Sequence, residues 1–377
     1  MELVKLLSDF KLLALLCTLL VALITTLVVM PQIVSISKVK NLTAQANERM
    51  SHVGVVPTLG GLGVFIGLLL ATNLAAVFFA NYNQIIDLLI FNILLLLLLV
   101  IGVSDDIMSI SPRKKMFFQL LTAFIFTFGT NTHIGSFMGL FGLDEFNIVF
   151  AKLFTVFVIV LIINAYNLID GIDGLAGSLG VVISSVMAGV FYASDHILPA
   201  LIAVALVGAL VAFLIYNFSH RRKIFLGDTG SMVVGFVLAF QVVLYLSLSA
   251  SETSPVFKNA PVFILALISY PLLDTLRVFV VRIAKGRSPF SADRNHIHHR
   301  LLDLGLSHKL ATFILVLYTA FVTILAYSLK DLSINTAFAI MLPICTVLVI
   351  IPFLIKTKEA RGGMAVPFAF KVTSHND

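Results

Sequence analysis

The sequence has no tryptophan, two cysteines in 377 residues and only 12% charged residues. Each shortage excludes something. A chain this poor in charge is not disordered, and it lacks the polar surface of a soluble globular protein. Cys17 and Cys345 both fall inside apolar runs, so no disulfide is expected and the pair says little about redox compartment. The apolar residues come in long blocks without alternation, which rules out a strand-based barrel. No internal repeat is visible, so an inverted-repeat transporter has no support. The net charge of +6 points to loop topology and anionic headgroups rather than nucleic acid.

What is present is hydrocarbon. The chain is 59% apolar, carries 32 Phe and has a mean hydropathy of +1.07. Many windows exceed the roughly 18 apolar residues needed to cross a bilayer. The expected fold is therefore an all-α polytopic membrane protein, one integral-membrane domain over residues 1–355 with a tail at 356–377. About eleven spans are expected, near 11–31, 54–80, 85–103, 116–130, 150–164, 175–193, 198–218, 230–248, 260–283, 311–328 and 335–354. The run Leu12 to Met30 follows Lys5 and Lys11 as a signal peptide would. It is too long and lacks a small-residue cleavage site, so it reads as the first span.

Lys and Arg set the expected orientation. With that number of spans, nineteen of them fall on one side, among them Lys38, Lys40, Arg49, the 113–115 and 221–223 triplets and the tail, against five on the other (Lys5, Lys11, Lys152, Lys258 and Lys330). The positive-inside bias puts the N-terminus outside and the C-terminus in the cytoplasm. The polar clusters near 31–53, 104–115, 164–174, 219–229 and 284–310 then share the cytoplasmic side. The segment 131–150, Gly-rich with Asp144 and Glu145, reads as irregular outer cover.

The densest cluster is Asn164-Ala-Tyr-Asn-Leu-Ile-Asp-Gly-Ile-Asp-Gly-Leu-Ala, which places Asn164, Asn167, Asp170 and Asp173 between two apolar runs. Unpaired carboxylates beside a bilayer are costly, which makes a function their default explanation. A helix that continued through Asn164 and Asn167 would put both amides on one face, and an amide oxygen is a hard ligand suited to Mg²⁺. Asp105-Asp106 ends the third span. Adjacent carboxylates on a helix point different ways, which suits one to a metal or proton and the other to a neighbouring base. Arg113, Lys114 and Lys115 follow and could hold a phosphate or simply anchor the helix at the headgroups. In Phe225-Leu-Gly-Asp-Thr-Gly, a turn exposes Asp228 beside the start of a helix, where backbone N–H groups favour an anion and the carboxylate favours a cation. Asp293-Arg-Asn-His-Ile-His-His-Arg lacks nearby Cys and any His-Glu-x-x-His pattern, so His296, His298, His299 and Arg300 read as donors around phosphate oxygens rather than a zinc site. Asp274 and Arg277 read as an ion pair in a kinked helix after Pro271, and His52, Pro57 and Gly60-Gly61 as a helix start that could also line a site. The inventory fits Mg²⁺-dependent chemistry between a cytosolic phosphate compound and a lipid phosphate. A lipid-phosphate or anion transporter would instead need polar residues at mid-membrane, and there are few.

These motifs, in this order and with these intervals, resemble the polyprenyl-phosphate N-acetylhexosamine-1-phosphate transferase family over roughly residues 10–355. The form His-Ile-His-His-Arg resembles the branch that uses UDP-GlcNAc and undecaprenyl phosphate. The resemblance implies an eleven-span enzyme in the bacterial inner membrane that transfers GlcNAc 1-phosphate and releases UMP. It further implies Mg²⁺ (or Mn²⁺ in its place) on Asn167 and Asp228, and catalytic roles for Asp105, Asp106 and Asp228. Substrate contacts would come from Lys115, Asn164, Asp170, Asp173, His296, His298, His299 and Arg300, and relatives suggest a homodimer. Another UDP-N-acetylhexosamine remains an alternative donor.

Overall fold

The computed structural model describes residues 2–40, 42–44, 56–251, 257–288 and 295–355; for residues 2–9 and 43–44 only the backbone is described. Of the features named above, Arg49, His52, Asp293, Arg294 and the tail lie outside these residues. The described chain is helical throughout except for irregular connections, an isolated bridge between Leu140 and Leu143, and a two-residue antiparallel pair in which Thr43–Ala44 (β1) meets Val56–Pro57 (β2).

Thirteen helices follow one another: α1 (Glu2–Val39), α2 (Gly60–Phe79), α3 (Tyr82–Met108), α4 (Pro112–Gly129), α5 (Ile148–Leu168), α6 (Leu175–Ala193), α7 (Ile197–Asn217), α8 (Gly227–Ser251), α9 (Ala260–Leu267), α10 (Ser269–Ala284), α11 (Ile297–Asp303), α12 (His308–Ser328) and α13 (Ile334–Leu354). Among the described residues nine are long and apolar enough to cross a membrane, and α9 with α10 passes the same test as one span bent by 71°. The remaining apolar block, α4, opens on Arg113, Lys114 and Lys115, so length and composition alone yield nine spans among the described residues, or ten with the bent pair. The break between α9 and α10 falls at Ile268, three residues before Pro271. Proline has no N–H to offer the carbonyl four residues back, which is that of Leu267.

Burial ranks the helices. In α8, 78% of the apolar window is buried, in α7 72%, and in α1 and α13 only 22%. The centre is therefore α8, against which α2, α3, α5 and α6 pack, with α7 between α1, α2 and α6. The outer helices expose Leu13, Ile24, Phe313, Ile324 and Val347, an arrangement that only hydrocarbon surroundings satisfy.

Backbone packing locates the start of α8. A Cβ added to Gly61 would lie 2.1 Å from the Gly230 nitrogen, and one on Gly102 would lie 2.4 Å from Thr229 Cα. Only hydrogen at these two positions lets α2 and α3 touch α8 main chain to main chain. The first N–H groups of α2 have no side-chain cap. Gly60 N–H donates to Phe225 O and Gly61 N–H to Leu226 O, each at 2.9 Å, while Phe225 N–H donates to Pro57 O at 2.8 Å. The helix start at Pro57 and Gly60-Gly61 thus also holds the turn that carries Asp228.

On the far side, 130–147 is irregular, with left-handed backbone at Met138, Gly139, Phe141 and Gly142. Asn335 of α13 pins it, accepting from Phe141 N–H and donating to Gly139 O.

Candidate active site

Four helices end in one cluster. Lys115, in the first turns of α4, places its Nζ 2.6 Å from Asp105 Oδ2 and 2.7 Å from Asp228 Oδ1. Asn167 donates from Nδ2 to the same Asp228 oxygen at 2.6 Å and to Ser231 Oγ at 2.7 Å. Asp105 is held by its second oxygen, which accepts Ile110 N–H at 2.8 Å just past the end of α3. The adjacent carboxylates do point different ways. Asp106 turns to the start of α8, where Oδ1 accepts Asp228 N–H at 2.9 Å and Oδ2 accepts the Thr229 N–H at 3.0 Å and hydroxyl at 2.6 Å. These are the first N–H groups of a helix, normally without partners, so Asp106 acts as a cap supplied from another helix.

α5 continues to Leu168, so Asn164 and Asn167 share a helix, but they serve different neighbours. The Asn164 amide donates to Gln119 Oε1 at 2.6 Å and to Val160 O at 2.8 Å. Gln119 lies one turn beyond Lys115 on α4, so Asn164 braces the helix that carries the ammonium.

Beside the cluster lies a cavity of about 320 Å³, lined by Asn167, Asp170, Asp173, Phe225, Asp228 and His308 among others. The Asp170 carboxyl is pushed up to about 8, first by burial and then by repulsion from Asp228, Asp106 and Asp173. Asp173 closes the end of the loop. Its carboxylate accepts from Lys223 Nζ at 2.6 Å, its N–H donates to His308 Nδ1 at 3.3 Å and its carbonyl accepts from Thr312 at 2.8 Å. Gly174 follows with φ +75 and donates to Asn217 Oδ1 at 2.6 Å; a side chain there would strike the Phe218 ring.

The histidine segment lies behind this loop. His296 Nδ1 is 2.9 Å from Asp274 Oδ2, and both are buried. The other Asp274 oxygen accepts Ile297 N–H at 3.0 Å and Arg277 at 3.2 Å. Arg277 also donates to Asn295 O and stacks on Phe353. The expected ion pair is present, and its carboxylate does more by mooring the first residues of α11 to α10. His298 is 1% exposed, and its Nε2 sits 2.3 Å from where a Cβ on Gly171 would lie. Burial, then His299, His296 and His308, hold the His298 imidazole well below its usual range, so it is neutral, packed against the cavity loop. His299 stands beside it, ring centroids 4.3 Å apart. Arg300 meets the end of α13. Its guanidinium donates to Pro352 O at 3.1 Å and Ile355 O at 2.6 Å, where the last carbonyls of α13 lack helical partners and attract a cation.

Of the residues singled out from sequence, Asp105, Asp106, Lys115, Asn167 and Asp228 meet directly. Asp170 and Asp173 line the adjoining cavity, His296, His298 and His299 stand behind its loop, and Asn164 and Arg300 serve helix packing. Sequence reasoning passed over Gln119, Lys223, Ser231 and His308. Lys223 carried weight only as a topology marker, and no motif frames the others.

Among the described residues no three His, Cys, Asp or Glu side chains form a complete cation site by themselves. Mg²⁺ needs less, since it takes one or two protein carboxylates and completes its shell with water and substrate phosphates. The carboxylate oxygens of Asp228 and Asp105 flank the Lys115 ammonium, and the Asn167 amide, whose nitrogen now faces Asp228, could supply a third hard oxygen, a donor set that fits such an ion.

A helical membrane bundle that draws acids, an amide and an ammonium to one end defines a class, the integral-membrane group-transfer enzymes. The comparisons narrow it. Residues 88–246, which run from α3 through most of α8, match glycosyl transferase family 4. Similar relatives include a probable undecaprenyl-phosphate N-acetylglucosaminyl 1-phosphate transferase of Bacillus subtilis, 31% identical over 86% of this chain and 88% of that one. A decaprenyl-phosphate N-acetylglucosaminephosphotransferase of Mycobacterium tuberculosis is 32% identical over 74% and 73%. An undecaprenyl-phosphate alpha-N-acetylglucosaminyl 1-phosphate transferase of Yersinia pestis is 28% identical over 74% of each. The chain belongs to glycosyl transferase family 4, the family its motifs resemble, and is a phosphoglycosyltransferase.

Proposed function

We propose that this chain transfers N-acetylglucosamine 1-phosphate from UDP-GlcNAc to undecaprenyl phosphate, with Mg²⁺ and with release of UMP, at the cytoplasmic face of a bacterial inner membrane. The observation that carries the reading is the meeting of Asp105, Lys115, Asn167 and Asp228 from four helices within hydrogen-bond distance. The names of the relatives supply the sugar and the class of lipid acceptor. Counting α4 and the bent pair as spans brings the total to eleven, with the N-terminus outside. That orientation is supported by the Lys and Arg residues, which concentrate at the end of the bundle that holds the acids.

An ion held by Asp228 and Asn167 would neutralise charge on diphosphate oxygens. The chain's own groups then position the reactants. Lys115 faces the lipid phosphate, Asp105 orients Lys115, and Asp106 fixes the turn that presents Asp228. An oxygen of the lipid phosphate bonds to the β-phosphorus of the nucleotide sugar. The bond from that phosphorus to the bridging oxygen breaks, and UMP leaves with the electron pair. A phosphate monoester has a second pKa of about 6, so the attacking oxygen is already anionic at neutral pH. Positioning and charge neutralisation outweigh proton removal.

The test uses purified full-length protein in detergent with Mg²⁺, undecaprenyl phosphate and sugar-labelled UDP-GlcNAc. Label should enter butanol-extractable lipid with an equal amount of UMP. UDP-GalNAc in parallel reads out sugar choice, and a protein that moves lipid phosphate without forming UMP would overturn the enzyme reading of the site.

A further inference from the structure

One of the two Asp228 oxygens that could hold a cation is already engaged. Asp228 Oδ1 accepts from Lys115 Nζ at 2.7 Å and from Asn167 Nδ2 at 2.6 Å, and the ammonium is shared with Asp105 at 2.6 Å. A divalent ion bound to Asp228 would stand about 2.1 Å from that oxygen. An ammonium in hydrogen-bond contact with the same oxygen would then face it at close range in a partly buried site, where like charges repel more strongly than in water. Both cannot be held there at full strength.

We infer that Lys115 is a built-in competitor for the divalent ion, its ammonium occupying the Asp105–Asp228 gap until the ion displaces it from Asp228. This rests on the reading of Asp228 as the ion's ligand. The exchange is local. α4 is braced one turn further on by Gln119 and Asn164, so the helix stays in place while the Lys115 side chain, which is 18% exposed, swings. The N–H end of Asn167 faces Asp228, and the oxygen of the same amide becomes a ligand by rotation about one bond. Released from Asp228, the ammonium is free to take an anionic oxygen. Entry of the ion and capture of a phosphate become one exchange at a single carboxylate, and the protein without substrate holds the ion weakly.

The test titrates Mn²⁺ into purified full-length protein without substrate and follows free ion by electron paramagnetic resonance. Lys115→Met is expected to bind Mn²⁺ at least tenfold more tightly than the unaltered chain, Lys115→Arg to show no gain, and Asp228→Ala to lose the site. A site lost in Asp228→Ala but unchanged or weaker in Lys115→Met overturns this inference and leaves the ion reading intact. No Asp228-dependent binding in any of the four proteins overturns both. Because removing the ammonium leaves two carboxylates facing each other, a second readout uses the unaltered chain. Labelling of Lys115 by an amine reagent, quantified by mass spectrometry against Lys114, should rise several-fold on adding Mn²⁺, and constant labelling overturns the inference.

Discussion

Asp274 and His296, on opposite sides of a chain segment of more than twenty residues, form a buried pair with Oδ2 and Nδ1 2.9 Å apart. The remaining carboxylate oxygen holds the Ile297 N–H and Arg277, so one side chain moors the histidine segment to the bent helix. Asp274→Ala strips a partner from a half-buried guanidinium and from a buried imidazole together. Breaking such a network costs on the order of 3 kcal/mol or more. Thermal unfolding in detergent should register a clear fall in Tm for Asp274→Ala and a smaller one for Asp274→Asn, which still accepts the Ile297 N–H.

Asp106→Ala is expected to cost about 1–2 kcal/mol through the lost helix cap and to lower turnover by more than the stability loss explains, because Asp228 N–H is one of the groups it holds. Comparing Tm with activity well below the unfolding range separates the two effects.

Asp105→Asn discriminates between proton removal and orientation. If the carboxylate removes a proton, the loss is severe and partly recovers as pH rises, since the lipid phosphate ionises without help. If it only orients Lys115, the loss is the same across pH. A turnover profile from about pH 6 to 9, spanning the phosphate pKa near 6, decides between them.

Asp170 makes stability depend on pH in the metal-free protein. In the unfolded chain its carboxyl ionises near 3.9, while in the folded protein it keeps its proton to about 8. Between those values the unfolded state binds fewer protons, so this residue's contribution falls as pH rises and levels off above about 8. Asp170→Asn removes that slope. Unfolding midpoints at pH 5 and pH 9 should lie closer together in the variant, and an unchanged gap would count against the raised Asp170 pKa.

Gly171→Ala drives a methyl group into the His298 ring. Activity is expected to fall at least tenfold, and the same substitution on a His298→Ala background should cost much less. A double-mutant cycle on kcat/KM measures that coupling; purely additive effects would break the link between the histidine segment and the cavity loop.

Much of this arrangement could be read before any coordinates, for a physical reason. Helices that cross hydrocarbon announce themselves by composition, and acids and amides among them stand out because the bilayer penalises polar groups, so Asp105, Asp106, Asn167 and Asp228 were visible. The sequence did not reveal direction. Nothing in Asn164-Ala-Tyr-Asn says that one amide braces α4 while the other reaches Asp228, because a separation of three residues turns them some 60° apart around the helix. Nor does the charge of Arg300 reveal that its guanidinium also meets the last carbonyls of α13. Lys223 and His308 converge on Asp173 only through the packing of three distant segments, and no local pattern encodes that. The break at Ile268 came earlier than Pro271 suggested, because proline deprives a carbonyl one turn upstream.

Gly61 and Gly102 let three helices meet at the start of α8 with no side chain between them. Asp228, the residue just before these contacts, therefore inherits its address from main-chain packing. Folding has already met the cost of aiming that charge, and little reorientation is left to oppose the reaction when the reactants arrive, which is where preorganised sites gain their rate.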